Sequence, residues 1–346
     1  MTAPSNIGHQ ALTGSAGGGK RQGRRRRDEF QMVPDAHFTS YYGRPVVKAS
    51  PWEKDIPAYL FLGGLAGGSS LLAAGANATD RPVLRRTGRL GALGAISLSM
   101  AALVHDLGKP ARFVNMLRVA KPTSPMSVGT WILTAYAPMA ALAGAAELRP
   151  WLPGPLRTGL AGRLLGIGAT PAGVLAAVAA PAVASYTAVL LADTATPSWH
   201  EAHRELPFVF VGSAAAASGG LGMLCAPVAQ ARPARRLAVG GALLELAAER
   251  KMESSMGITA EPLHTGRPGQ LMKASKGLTA FGALTAAFVG GRSRTAAAVA
   301  GTALLAGSAC TRFGVFEAGQ DSARDPKYTV VPQRQRLDAR NGNSTT

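Results

Sequence analysis

Residues 105–131 read HDLGKPARFVNMLRVAKPTSPMSVGTW, and they join two long apolar runs, of which the first is Leu90–His105. A charged side chain at mid-depth in a bilayer costs about 2.5–3.5 kcal/mol, so charges beside hydrocarbon usually mark a site or an ion pair. His105, Asp106 and Lys109 therefore allow two interpretations. One is a solvated loop whose basic groups reach water. The other is a polar pocket at the membrane surface that binds a ligand with polar ends.

The apolar residues of the chain are gathered into runs long enough to cross a membrane. Mean hydropathy over the 346 residues is only +0.11, but runs rich in Ala, Gly, Leu and Val between short charge clusters match a hydrocarbon core of about 30 Å. Many of the 42 glycines lie within these runs, which favours close helix packing. The predicted spans are residues 56–76, 88–106, 127–147, 164–192, 207–229, 237–250, 276–291 and 295–316.

Two of these runs resemble each other. IPAYLFLGGLAGGSSLLAAG begins at Ile56 and LPFVFVGSAAAASGGLGMLC begins at Leu206; each follows a tryptophan and has proline in its first turn. Low-complexity apolar helices also align by chance, so both explanations stay open. A true repeat predicts an all-α polytopic membrane protein whose eight transmembrane helices form two four-helix bundles in the same orientation.

Polar segments flank the membrane domain. Residues 1–55 form a basic tail, which we expect to be disordered at first and then, where aromatic residues and prolines appear, to lie as a strap on the protein or on a partner. Residues 56–316 form the predicted membrane domain, and residues 317–346 form a polar C-terminal tail.

The net charge of +18 suits contact with anionic lipid headgroups rather than with nucleic acid, because basic residues occur in almost every loop between the spans. Eight spans place both termini on one face, and that face has the larger number of Lys and Arg residues. The opposite loops are shorter and denser in Arg, which argues for the reverse orientation. We predict a plasma-membrane protein with cytoplasmic termini, because translocating the tail with its four consecutive arginines is unfavourable.

Polar side chains gather at the ends of spans on the face that carries the termini. Tyr59 enters the first span, His105 and Asp106 leave the second just before Lys109, and Tyr186 lies late in the fourth. Together they suit a ligand with an apolar body and two polar oxygens, such as a quinone, whose carbonyls accept hydrogen bonds and exchange protons. Taken singly, each tyrosine is an ordinary interface aromatic, and His105 caps its helix. The convergence of several groups favours a quinone site.

The sequence predicts no redox cofactor in the chain itself. Of the six histidines only His105 lies at a span, whereas a membrane b-type cytochrome needs paired axial histidines. Cys225 and Cys310 lie far apart in apolar runs and form neither an iron–sulfur motif nor a disulfide framework. Nucleotide-binding glycine motifs and HExxH are absent from the sequence, and no metal site is expected. Electrons would then come from the cofactor of a partner.

Four segments resemble the NrfD/polysulfide-reductase family of membrane subunits: WEKDIPAYLFLGGLAGGSSLLAAGA, the stretch 105–131, ADTATPSWHEAHRELPFVFVGSA and RFGVFEAGQDSARDPKYTVVPQR. The resemblance covers residues 32–336. It implies an eight-helix anchor without a bound cofactor that exchanges electrons between a ferredoxin-like iron–sulfur subunit and menaquinone or ubiquinone. A molybdopterin oxidoreductase would be the catalytic subunit of the complex.

The resemblance also implies where the quinone binds. In family members the pocket lies at the entrance of the first helix and includes a tyrosine of the fourth, which match Tyr59 and Tyr186 here. Relatives often carry His at the position of Tyr59, and their short tails and outward-facing termini differ from the long basic tail of this chain. A small-solute or ion transporter and a purely structural anchor are the alternative functions.

Carboxylates inside the spans form the last predicted feature. Glu245 and Glu249 lie one turn apart on one face of the sixth span, and Arg312 or Arg163 of a neighbouring helix is a candidate partner. Glu147 leaves the third span on the face opposite the quinone site. Either these groups relay protons between the pocket and the far side of the membrane, or they form a buried ion pair that only fixes helix register.

Overall fold

The computed structural model describes residues 44–109, 111–151 and 153–343, so the predicted tail up to residue 43 lies outside the described residues. Within these ranges the chain is helical and has no strand. The long helices α1 to α8 are Asp55–Ala78, Pro82–Asp106, Pro125–Leu148, Leu160–Ala192, Leu206–Cys225, Arg232–Ser255, Gly266–Phe288 and Arg294–Arg324, and α9 is Lys327–Asn343. The loops hold short helices at Arg112–Met116, Gly154–Thr158 and Pro197–Glu201 and 3₁₀ turns at Arg149–Trp151 and Gly257–Leu263.

Six of these helices, α1 to α5 and α8, are long and apolar enough to cross a membrane. The shortest of them, α5, has 20 residues, which at about 1.5 Å per residue matches a hydrocarbon core of about 30 Å. In α6 and α7 charged side chains such as Glu245, Glu249 and Lys276 lower the hydropathy. The chain is thus an all-α polytopic membrane protein, as the sequence predicts.

Two helices, α4 and α8, are longer than a straight membrane crossing requires. The 33 residues of α4 include Pro171 and Pro181, the two positions at which the sequence suggests a kink or a start outside the core. Helix α8 passes the predicted boundary at residue 316 and ends at Arg324. Its last turns stay helical because Gln320 and other residues there are buried. They pack against the segment before α1, residues 44–54, which we call the strap, and against the short helix Pro197–Glu201.

The long helices pack mainly against neighbours in two sets. Helix α1 contacts α2 and α4, and α3 contacts α4 and α2; α5 contacts α6 and α8, and α7 contacts α8 and α6. The two helices with similar sequences, α1 and α5, pack on each other between the sets. There Ser218 Oγ donates a hydrogen bond to the Leu65 carbonyl (3.2 Å).

Glycines bring α5 and α6 into backbone contact. A Cβ atom at Gly212 would lie 2.5 Å from the Glu245 backbone nitrogen, and one at Gly241 would lie 2.5 Å from the Ala216 nitrogen. Only glycine fits at such an approach, which is typical of membrane helix pairs. As a result, the side chain of Glu245 is completely buried.

Candidate quinone site and buried charges

An apolar cavity of about 600 Å³ opens near the N-terminal ends of α1 and α3 and the C-terminal ends of α2 and α4. Its walls come from those four helices, from the short helix Arg112–Met116 and from Trp52 in the strap before α1. Most of the lining is aliphatic, including Ile56, Met100, Leu103, Met126, Leu133 and Leu190. A cavity of this size and character suits a small ligand with an apolar body.

Two tyrosines from distant parts of the chain meet in this cavity. Tyr59 lies in the second turn of α1 and Tyr186 near the end of α4, and their buried hydroxyl groups form a hydrogen bond with each other. Gly129 of α3 makes room for this pair, because a Cβ atom there would lie 2.6 Å from the ring of Tyr186. The pair places phenolic donors and acceptors in otherwise apolar surroundings.

Other polar groups stand around the same cavity. Asp106, the last residue of α2, is half-buried in the wall. Arg112 and Asn115 line it from the short helix. The hydroxyl of Thr130 also reaches the lining, but it donates to the Met126 carbonyl (2.9 Å) of its own helix. Asp106 is therefore the acidic group that the described part of the cavity offers to a ligand.

His105 faces a different space. Its Nδ1 lies 2.6 Å from Asp55 Oδ2, and the side chain is 82% exposed. Both residues line a polar cleft of about 740 Å³, which also includes Arg267 and Glu317. Lys109 is exposed on the loop and lines neither space.

Of the five predicted quinone-site residues, the structure therefore brings three together: Tyr59, Asp106 and Tyr186. Sequence reasoning did not select Trp52 or Asn115 as site residues. Each nevertheless lies in a segment that carries predicted site residues: Trp52 opens WEKDIPAY, which ends at Tyr59, and Asn115 lies inside the stretch 105–131.

Glu245 and Arg312 are completely buried where α5 to α8 meet. Thr311 Oγ1 donates to Glu245 Oε1 (2.7 Å) and lies 2.5 Å from the hydroxyl of Ser275. Arg312 Nη2 donates to the Phe210 carbonyl (2.6 Å), and the guanidinium lies 3.6 Å from the centre of that ring. Among the described residues no ion pair within 4.0 Å joins Glu245 to Arg312, and Glu245 Oε2 and Arg312 Nη1 have no hydrogen-bond partner.

Further charged groups lie between this region and the loop that joins α6 to α7. The carboxylate of Glu249 lies 3.6 Å from Lys276 Nζ, which lies 2.7 Å from Glu253. Glu253 in turn lies 4.0 Å from the half-exposed His264 in the loop between α6 and α7. Lys276, Glu253 and His264 are not among the predicted site residues, because their proximity depends on how α6 and α7 pack.

Glu147 stands apart from these groups. It lies at the end of α3 on the opposite face, where its Oε1 accepts hydrogen bonds from Arg85 Nε (3.0 Å) and Arg89 Nη1 (2.9 Å) of α2. Arg89 is buried and Glu147 nearly so, so their ion pair is well shielded, whereas Arg85 is one third exposed.

The part of the chain that the structure describes contains no cluster of three or more His, Cys, Asp or Glu residues suited to a metal ion. A comparison with protein families matches residues 46–248 to the family described as polysulphide reductase, NrfD. The matched segment includes both tyrosines, Asp106 and Glu245. A search of curated proteins finds no match.

Proposed function

The chain belongs to the NrfD polysulphide reductase family, whose members are membrane subunits of quinone-interacting oxidoreductase complexes, and we propose that it exchanges electrons between a partner iron–sulfur subunit and membrane quinone. The proposed partners are a ferredoxin-like iron–sulfur subunit and a molybdopterin oxidoreductase. The ligand is menaquinone or ubiquinone, which exchanges with the lipid phase.

We propose that all eight long helices cross the membrane, as two four-helix bundles formed by α1–α4 and α5–α8. The packing of α6 and α7 supports this, because Glu245 and Glu249 are buried among neighbouring helices instead of facing lipid. An even number of crossings leaves both termini on one face. Because that face has the larger number of basic residues, we assign it to the cytoplasm. We assign the protein to the plasma membrane.

The observation that carries the proposed function is the Tyr59–Tyr186 pair inside an apolar cavity that Asp106 also lines. A quinone has an apolar ring and tail with two carbonyl oxygens. The aliphatic lining suits the ring and tail, and the phenolic hydroxyls can donate to a carbonyl or accept from a quinol.

The proposed redox step needs both an electron and a proton route. Oxidation of a quinol breaks two O–H bonds and releases two electrons and two protons, and reduction of a quinone reverses this. The electrons pass to or from the partner's iron–sulfur group. We assign the proton exchange to Asp106, whose carboxylate lines the cavity; His105 and Asp55 lie in the neighbouring polar cleft.

Binding of 2-heptyl-4-hydroxyquinoline N-oxide, a fluorescent quinol analogue, to the full-length chain in nanodiscs tests the proposal. Tyr186→Phe should weaken binding about tenfold, because it removes a hydroxyl that bonds a ligand in buried surroundings. Tyr136→Phe is the matched control: Tyr136 is also buried, but its hydroxyl bonds Ser70 (2.8 Å), and neither residue lines the cavity. The absence of binding to the wild type, or an equal loss in both variants, would contradict a quinone site at Tyr186.

We further propose that Glu245, Glu249 and Arg312 take part in a proton relay, with Glu147 at the far side. Burial of Glu245 and Arg312 with unpartnered polar atoms supports this, since buried ionisable groups in membrane proteins commonly serve proton or ion paths. The contacts through Lys276 and Glu253 extend the relay towards the termini-bearing face.

The same buried charges favour the second candidate function, an ion or small-solute transporter. A transporter would use α5–α8 without a quinone or an iron–sulfur partner. Co-purification separates the candidates: an iron–sulfur subunit that copurifies supports the oxidoreductase subunit or a structural anchor, and binding of the quinol analogue then decides between those two.

A further inference from the structure

The segment that precedes α1 forms part of the cavity wall. Trp52 lines both the apolar cavity and the polar cleft that holds Asp55 and His105. Among the described residues Trp52 is the one that the two linings share, so it lies between the space proposed for the quinone and a space open to polar groups.

The backbone around Trp52 is held by one side chain of α8. Gln320 Nε2 donates to the Ser50 carbonyl (3.1 Å) and to the Trp52 carbonyl (3.2 Å). Gln320 is only 7% exposed, so water competes little for these bonds. An amide NH₂ has two hydrogens, and both are used here to fix the strap.

The indole of Trp52 is also supported by α8, through a second tryptophan. The rings of Trp52 and Trp199 are stacked with their centres 6.1 Å apart. Trp199 is buried, and its Nε1 donates to the Val315 carbonyl (2.9 Å). Gly319 lies against this indole so closely that any Cβ atom there would overlap it. Helix α8 thus sets both the backbone and the ring of Trp52.

We propose that Gln320 is a positioning residue for the quinone site: it holds the strap so that Trp52 closes the cavity towards the polar cleft. The proposal rests on the proposed quinone site and adds that α8, which contributes no described residue to the cavity lining, controls ligand affinity. Without the two hydrogen bonds, the strap is released and the cavity opens to water. The groups that handle protons and electrons are unchanged, so affinity falls while the chemical step persists.

The test uses the full-length chain in nanodiscs and the same quinol analogue as probe. Gln320→Ala should weaken binding about tenfold, and Gln320→Glu at least as much, because a carboxylate facing two carbonyl oxygens repels them. Gln230→Ala is the matched control. Gln230 Oε1 also bonds two backbone groups, Val83 N (2.9 Å) and Leu84 N (3.4 Å), but on the opposite face of the protein. Its variant should bind the analogue like the wild type.

Two readouts separate positioning from a general loss of stability. In a background carrying Trp131→Phe and Trp151→Phe, acrylamide should quench more of the tryptophan emission in Gln320→Ala, because Trp52 leaves its stack while Trp199 stays buried. In the assembled complex, the quinol KM should rise about tenfold with kcat unchanged.

The other outcomes would contradict either the role of Gln320 or the quinone site itself. If Trp52 becomes accessible but affinity and KM stay at wild-type values, the strap is not a wall of the ligand site and the inference is wrong. An equal effect of Gln230→Ala would also overturn it. If the wild type itself fails to bind the analogue, the proposed quinone site fails, which is a separate result.

Discussion

The helices α1–α4 and α5–α8 place their polar groups in opposite ways. In the first set the two tyrosines line an apolar cavity of about 600 Å³, and one hydroxyl group donates a hydrogen bond to the other. In the second set Glu245 and Arg312 are enclosed by close-packed helices and retain unpartnered atoms. The ligand space therefore lies in the first set and the buried Glu245 and Arg312, which no ion pair joins, lie in the second; the buried charge of the first set, Arg89, is ion-paired with Glu147.

The difference indicates a division of labour. A cavity with few charges binds an apolar ligand without a large desolvation cost, whereas buried carboxylates are costly and are kept for a function. Helix α8 links the two sets, because it carries Arg312 in its middle and holds the strap of the cavity through Gln320.

The largest expected effect is the loss of quinone turnover when Asp106, in the first set of helices, is substituted. Asp106→Asn keeps the shape of the side chain but removes its negative charge, so quinone turnover of the complex should fall about 100-fold if Asp106 exchanges protons with the ligand. Binding of the quinol analogue and assembly should be unchanged. Asp193→Asn, at an exposed carboxylate beyond the end of α4, is the control. Normal turnover in Asp106→Asn would show that Asp106 is only a charge at a helix end.

A smaller effect concerns packing in the second set. Gly212→Ala places a methyl group against the α6 backbone and should reduce the free energy of unfolding by about 1–3 kcal/mol. Gly240→Ala, where no atom lies within 4 Å of the new Cβ, should raise stability by up to about 1 kcal/mol through helix propensity. Thermal unfolding in detergent measures both. Similar melting temperatures for the two variants would contradict the α5–α6 backbone contact.

The smallest effect on turnover is expected at Glu245. Glu245→Gln keeps the acceptor for Thr311, so electron transfer to quinone should continue, but a reconstituted complex should lose its membrane potential because Gln does not exchange protons. Glu147→Gln tests the proposed far end of the relay, where the carboxylate is paired with Arg85 and Arg89. If potential and turnover both stay normal in Glu245→Gln, Glu245 is a packing residue and the relay is wrong.

The sequence predicts the helical membrane fold well, because length and apolarity decide which segments cross a bilayer. It does not predict which way adjacent polar residues face. His105 and Asp106 are neighbours in sequence, but successive helical residues point about 100° apart, so one lines the polar cleft and the other the apolar cavity. The rotation of α2 that decides this comes from its packing with other helices.

Long-range contacts limit the prediction in the same way. The segment after residue 316 is polar, and only its contacts with the strap and with Trp199 show why α8 continues to Arg324. Likewise, Lys276 meets Glu249 and Glu253 only because α7 packs beside α6. Placement at the ends of spans selects Tyr59 and Tyr186, and family resemblance assigns both to one pocket, but neither predicts that their hydroxyl groups bond each other.

Photoaffinity labelling with an azidoquinone, followed by mass spectrometry of the labelled peptides, locates the bound quinone directly. The quinone site in the first set predicts labels on the cavity-lining parts of α1 to α4 and on Trp52, with competition by unlabelled quinone. Tyr186→Phe should reduce this labelling, and Tyr136→Phe should not. Competable labels confined to α5–α8, or labelling that unlabelled quinone does not reduce, would contradict the account.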